Sequence, residues 1–323
     1  MDIIILHNPV DEHAPEDILD IERQARWIES VLCGLGHQVS LLQFDAAGIA
    51  AAAPRWREEG AILFNLVDAS AGQEDLAYFV PGLLGHLGLP YTGCTMESLF
   101  LTTDKLVAKQ LMHARGIDTP PWISHEKDIT RGGRYLVKPV RDDASIGIDE
   151  HSLVDATDAG AVLREIARRT AATGKGHYAE QFIDGREFTV CLYGPAAQPV
   201  AMSPYEWVFE GFEERGLPRM FTFAAKWDDT CYAFDHITDR HAFTDEDQPL
   251  LDRLRGIALE CWHLFGLSGY ARIDFRIDAG GRPWVLEANG NPSFYGFYHS
   301  APASGTTFAG VLEAILSCAH PQR

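Results

Sequence analysis

Ala271-Arg272-Ile273-Asp274-Phe275, answered beyond a turn at Asp278-Ala279-Gly280-Gly281 by Val285-Leu286-Glu287-Ala288-Asn289-Gly290-Asn291-Pro292, carries more of the fold and its chemistry than any other part of this chain. Two apolar runs flanking an Asp- and Gly-rich turn predict a β-hairpin. Residues two apart in a strand share a face, so Arg272 and Asp274 point together, as do Glu287 and Asn289. Paired antiparallel, the strands collect one cation, two carboxylates and one amide on a single surface. Hard oxygen ligands of this kind suit Mg2+ bridging phosphates rather than zinc or copper. The plainer alternative is an exposed hairpin with solvated charges. Four polar groups held in phase through two apolar runs weigh against it.

Upstream, Ile3 to Leu6 reads as a buried strand. The segment from Ile18 to Leu35 has Ile21, Ala25, Ile28, Leu32 and Leu35 at helical spacing, with Gly34 and Gly36 as its stop. Val39 to Phe44 and Ala61 to Val67 read as further strands, so the first hundred residues predict an open parallel sheet with crossover helices. Ligands bind such sheets at strand C-terminal ends, here near His7-Asn8 and Val67-Asp68. Thr102-Thr103 is the expected N-cap of a helix from Asp104 to Ala114, stopped by Gly116 and Pro120-Pro121. A strand at Tyr135 to Val140, a helix at Ala159 to Thr170 and a strand at His177 to Phe182 follow. Strands are then expected at Glu187 to Tyr193 and Met220 to Trp227, and helices at Glu246 to Phe265 and Phe308 to Ala319.

Lys138 stands in the apolar strand Tyr135-Leu136-Val137-Lys138-Pro139, where a lysine needs an anionic partner. The loop after it, Arg141 to Gly147, has small residues that let backbone amides approach phosphate oxygens. Lys105, judged by its place early in a helix, reads as a solvated residue. Glu180-Gln181-Phe182-Ile183 followed by Glu187 mixes a flat apolar slot with acceptors, which a nucleoside requires. An amphipathic strand entering the Asp184-Gly185 turn would look the same.

The chain has 323 residues, 46% hydrophobic and 23% charged, enough for two or three compact units. Its net charge of -19 repels nucleic acid and anionic lipid, so neither is an expected partner. The opening apolar run lacks the basic start of a signal peptide, and the expected compartment is the cytoplasm. Six scattered cysteines include no Cys-x-x-Cys pair, and most of them read as small core residues.

Taken in order, Pro90-Tyr91-Thr92-Gly93, Thr103-Asp104-Lys105, Gly116 to Trp122, Leu136-Val137-Lys138-Pro139, Ser145-Ile146-Gly147, Gly185 to Val190, Arg272-Ile273-Asp274 and Leu286-Glu287-Ala288-Asn289 resemble the ATP-grasp superfamily, in its D-alanine:D-alanine ligase branch. The resemblance implies an α/β ATP-grasp fold with a parallel-sheet pre-ATP-grasp domain over residues 1–99. A central lobe over 100–183 and a C-terminal lobe over 184–323 would clasp ATP. Lys105, Lys138 and Ser145 would hold its phosphates, Glu180, Gln181, Phe182 and Ile183 would line the adenine slot, and Glu187 would bind the ribose. Asp274, Glu287 and Asn289 would hold two Mg2+ ions, with Mn2+ as a substitute. Lys226 would contact phosphate, and Arg272 would stabilise the acyl phosphate and the tetrahedral intermediate. The expected substrates are a small-molecule carboxylate and an amine, and the resemblance favours a homodimer.

Departures from the branch lie in its substrate subsites. The Gly-rich turn with Ser and Glu is replaced by His7 to His13, the subsite Ser by Ala144, and the subsite Tyr by Trp227. Tyr298-His299, inside the aromatic run Phe294 to Tyr298, stands where a Ser-Leu pair receives the second carboxylate. Glu206 to Glu214 reads as an insert adding bulk and acid. These changes predict a substrate other than D-alanine. A true D-alanine:D-alanine ligase and a nucleotide-binding protein without turnover are the rival readings.

Overall fold

The computed structural model describes residues 1–10, 16–68, 76–125, 132–142, 145–156 and 159–319. The first sheet holds β1 (Asp2–His7), β2 (Gln38–Gln43) and β3 (Ile62–Asn65), all parallel in the order β2-β1-β3. The alternation of β1 explains its central place. Ile3 and Ile5 pack on Ala25, Ile28 and Leu32 of the helix Glu16–Gly34, while Ile4 and Leu6 pack on Ile49, Ala53 and Trp56 of the helix Ala46–Glu59. Leu35 lies one residue past its helix and is exposed, because the chain has already left the helical period there.

The second sheet contains β4 (Trp122–Ile123), β5 (Arg134–Pro139), β6 (Leu153–Asp155) and β7 (His177–Gln181), antiparallel in the order β4-β7-β5-β6. Tyr135, Val137 and Ala179 turn one face toward Val162 and Ile166 of the helix Ala159–Thr173. The opposite face carries Leu136, Lys138 and Glu180, with Leu136 opposite Glu180 and Lys138 opposite Tyr178.

The third sheet contains β8 (Arg186–Gly194), β9 (Val200–Ala201), β10 (Tyr205–Phe209), β11 (Ile237–Arg240), β12 (Gly269–Ile277) and β13 (Pro283–Asn289). Its order is β11-β10-β8-β12-β13, with β9 paired to β8. Phe188, Val190 and Leu192 of β8 and Ala271, Ile273 and Phe275 of β12 bury one face with Leu254, Ala258, Cys261 and Trp262 of the helix Gln248–Phe265. Each large side chain so buried stabilises the fold by about 1.5–3 kcal/mol. Period-two alternation then leaves Glu187, Thr189, Arg272, Asp274 and Arg276 on the opposite face.

Several expectations need correction. Thr103 closes the helix Met96–Thr103, and the next helix, Lys105–Arg115, is capped by Asp104, whose carboxylate accepts from the backbone amides of Leu106 and Val107. Met220 to Trp227 is no strand: Thr222 caps the short helix Phe223–Trp227, because Phe-Ala-Ala-Lys-Trp lacks strand alternation and contains two strong helix formers. The first part of the Glu206 to Glu214 stretch, through Phe209, forms β10 of the third sheet. Only Cys94, Cys191 and Cys261 of the six cysteines are buried; Cys33 is exposed and Cys231 and Cys318 are partly so. No helix among the described residues is long and apolar enough to cross a membrane.

Candidate active site

A cleft of about 530 Å³ opens between the second and third sheets, a volume suited to a nucleotide-sized ligand. The residues expected to hold nucleotide, metal or the acyl phosphate all line it, namely Lys105, Lys138, Ser145, Glu180, Gln181, Phe182, Ile183, Glu187, Lys226, Arg272, Asp274, Glu287 and Asn289, whereas His7, Asn8, Tyr298 and His299 do not. Ala144 and Asp11 to His13 lie outside the described residues.

The floor is built rung by rung. Tyr205 pairs with Thr189, Thr189 with Asp274, and Asp274 with Glu287; on the adjacent rung Trp207 pairs with Glu187, and Glu187 with Arg276. A bulge after Asp274 shifts the register of the hairpin and still leaves Arg272 opposite Asn289. Arg272 donates from Nε to Asp274 Oδ2 at 3.0 Å, and its Nη2 stands 3.8 Å from Glu287 Oε1. Thr189 Oγ1 donates to Asp274 Oδ1 at 2.7 Å, and Trp207 Nε1 donates to that same hydroxyl at 3.3 Å. Asn289 Oδ1 accepts from the backbone amide of Asn291 at 2.9 Å, and Asn291 Nδ2 donates to Val67 O at 2.7 Å, tying the floor to the end of the parallel sheet. There Asn8 and Asp68 bond to each other, and Asp68 reaches the cleft.

The opposing wall presents Lys105, whose Nζ donates to Asp142 O at 2.8 Å, and Lys138, whose Nζ lies 2.6 Å from Glu180 Oε1. Both lysines are buried, so the solvated reading of Lys105 fails. The anionic partner of Lys138 is Glu180 itself. Lys109, one helical turn beyond Lys105, completes the cluster with Nζ 2.7 Å from Glu180 Oε2 and 2.8 Å from Thr119 Oγ1. At the mouth, Ser145 has φ 61°, the only non-glycine among the described residues in the left-handed region, a strained setting common in ligand-binding loops.

Electrostatics sort these groups. Burial alone would push the Glu287 carboxyl up, yet Lys105, Lys138, Arg272 and Lys226 together hold it down to about 2. Burial and the facing Glu287 raise Asp274 against the pull of Arg272. Burial raises Glu187 although Arg276 Nη2 is 2.6 Å away, and burial together with Arg272 lowers Lys226. Glu180 is held low by Lys109 and Lys138 in spite of its burial. Two carboxylates on one rung, one of them pushed toward neutrality, form a donor set that a divalent cation would relieve. The ring of cations above them fits phosphate oxygens.

Lys109, Thr189, Arg276 and Asn291 were not singled out from sequence. Two of them were within reach: Thr189 and Arg276 stand two residues from Glu187 and Asp274, on faces the alternation rule had already marked.

A family profile described as "D-ala D-ala ligase C-terminus" matches residues 117–317. The chain belongs to the D-alanine–D-alanine ligase family. That family comprises ADP-forming ATP-grasp carbon–nitrogen ligases. The chain is 27% identical over 318 residues to the D-alanine–D-alanine ligase of Synechococcus sp. strain JA-2-3B'a(2-13), covering 91% of this chain and 88% of the relative. It is 30% identical over 253 residues to that of Nitrosospira multiformis, covering 75% and 74%. Its fold matches that of the Bacillus anthracis D-alanine–D-alanine ligase complexed with ATP, with TM-score 0.72 and 18% identity over 99% of this chain and 97% of the other.

Proposed function

We propose that this chain joins a carboxylate to an amine through an acyl phosphate, on an amino-acid-like substrate other than D-alanine. The observation that carries the ligase reading is the rung Asp274–Glu287 with Arg272 upon it, facing Lys105, Lys138 and Lys226 across the cleft. A substrate carboxylate oxygen attacks the γ-phosphorus of ATP, and ADP leaves. The amine then attacks the acyl carbon, and the amide forms as phosphate departs and takes up the proton the amine loses. Asp274, Glu287 and Asn289 would hold Mg2+, which would supply neutralisation of phosphate charge. Arg272, already the counter-ion of both carboxylates, stabilises charge on the acyl phosphate and the tetrahedral centre. Lys105, Lys138 and Lys226 attract the phosphates, Phe182 and Ile183 pack on the base, and Glu187 accepts from the ribose. Positioning and electrostatics supply the catalysis.

The substrate reading rests on Trp227. It ends the helix Phe223–Trp227 and lines the cleft, and its Nε1 is buried with no hydrogen-bond partner among the described residues. A buried orphan donor is expensive, so a bound substrate with an acceptor at that point would be favoured. Trp207, Tyr295 and Phe221 add aromatic surface, with Trp207 and Tyr295 stacked at 6.0 Å. The names of the relatives favour D-alanine instead, and ADP release separates the readings. With D-alanine alone at millimolar concentration little ADP is expected, and several turnovers per second would overturn the substrate proposal. With a panel of larger amino acids and amines, ADP and phosphate are expected, and hydroxylamine should trap a hydroxamate when the amine is withheld. AMP and pyrophosphate would refute the acyl phosphate; no release with any pair would leave a nucleotide-binding protein.

A further inference from the structure

Beside the nucleotide cleft, at its aromatic end, Asp239, His241 and His299 bring one carboxylate oxygen and two imidazole nitrogens within 4.8 Å of one another. No step of the ligase reaction proposed above uses them, although the resemblance puts His299 in the pair that stands where the second carboxylate is received. Their convergence follows from the fold. Asp239 lies on the edge strand β11 opposite Trp207, which extends the Glu187–Arg276 rung by one more strand. Ile237, Asp239 and His241 alternate onto that face, and Ile237 lines the cleft. His299 comes from the helix Tyr295–Ser300, one turn after Tyr295.

His241 Nε2 stands 2.7 Å from Asp239 Oδ2, and His299 Nδ1 stands 3.9 Å from the same oxygen. Ligands at about 2.0–2.2 Å from a tetrahedral zinc ion stand roughly 3.3–3.6 Å from each other. The two observed separations bracket that range, so small rotations of the His241 and half-exposed His299 side chains suffice. The supporting contacts are also present. Tyr295 donates its hydroxyl to Asp239 Oδ1 at 3.1 Å, leaving Oδ2 for a ligand, and its ring packs on His299 at 4.2 Å. Tyr205 stacks on His241 at 5.2 Å.

The geometry points to a second metal site, in which Asp239, His241 and His299 bind one divalent transition-metal ion of the zinc class at the aromatic end of the cleft. Two imidazoles and a carboxylate select zinc, cobalt or iron over Mg2+, which prefers oxygen alone. Three protein ligands leave at least one coordination position open, the arrangement of a reactive or substrate-binding metal rather than a closed structural one. Tyr295 belongs both to this site and to the cleft lining, so a ligand on the metal and a substrate on the Trp207–Tyr295 surface would be neighbours.

The test is titration of metal-stripped protein with Co2+, without nucleotide or Mg2+, read by visible absorption and displaced by Zn2+. One equivalent is expected, with the spectrum of a nitrogen-ligated, low-coordinate ion. The same signal should persist in Glu287→Gln, whose change lies in the cleft floor, and disappear in His241→Ala/His299→Ala. Tyr295→Phe, which keeps all three ligands and removes the hydrogen bond to Asp239, should weaken binding about tenfold. Circular dichroism and the melting temperature establish that each variant is folded. Absence of stoichiometric binding to the parent protein would overturn the proposal, as would an undiminished signal in the folded double-histidine variant. Neither result depends on ATP turnover, so failure here is distinct from failure of the ligase reading.

Discussion

Glu287 is where the most charge converges. Burial acts against its ionisation, but the four surrounding cations hold its pKa at about 2 instead of the ordinary 4.5. A carboxylate depressed in this way stabilises the fold fully above its unfolded pKa and loses that contribution as pH falls through the folded value. The melting temperature of the parent is therefore expected to exceed that of Glu287→Gln near neutrality, with the gap closing between about pH 4.5 and about pH 2. A constant gap would show that the cations do not hold this carboxylate. In turnover, Glu287→Gln should be inactive at saturating Mg2+, and activity within about threefold of the parent would remove it from the reaction. Arg272→Ala should slow ADP release by about a hundredfold to a thousandfold. Lys109→Met addresses the neighbouring cluster. It leaves Thr119 and one oxygen of buried Glu180 without their ammonium, while Lys138 remains. The expected loss in urea unfolding is about 3 kcal/mol, at the low end for breaking a buried ion pair.

Individual elements are held by contacts that residue type alone does not reveal. Asp104 caps the helix that delivers Lys105 and Lys109, and its carboxylate also accepts from Arg141 Nε at 3.2 Å. Asp104→Ala should destabilise the protein by about 1 kcal/mol, whereas Thr103→Ala should lack this capping penalty. Equal losses in chemical denaturation would contradict the cap assignment. Gly185 marks the entry to β8. A Cβ there would sit 1.8 Å from Ile277 O, which is backbone and cannot swing aside. Its own carbonyl accepts from Arg276 Nη1 at 3.1 Å, and Arg276 in turn pairs with Glu187. Gly185→Ala should therefore part the ends of β8 and β12 and raise the KM for ATP more than it lowers kcat. An unchanged KM would separate this turn from nucleotide binding.

At the scale of the whole molecule, the cleft is an interface between two sheets, and a ligand that bridges them stabilises both. A non-hydrolysable ATP analogue with Mg2+, at a hundred times its Kd, should contribute about 2.7 kcal/mol and raise the melting temperature by roughly 5 °C. The Asp274→Asn/Glu287→Gln variant should lose the Mg2+-dependent part of that shift. A full shift in that variant would place the metal elsewhere.

The sequence alone determined the elements whose signals are local. The continuous apolar run of β1, the alternation of β8 and β12, the Asp278-Gly281 turn and the in-phase Arg272, Asp274, Glu287 and Asn289 all follow from local patterning and turn chemistry. It misassigned Met220 to Trp227, because an aromatic-rich segment suggests a strand until its two alanines and the Thr222 cap are weighed. Only the tertiary structure decided that Lys138 is matched to Glu180 and Lys109, that Lys105 is buried, and that Arg276 neutralises Glu187. It alone joined Asp239, His241 and His299. Each of those pairings depends on cross-strand register between strands distant in the chain, or on a helix laid over an edge strand. No periodicity within one segment encodes which residue of another will stand opposite it.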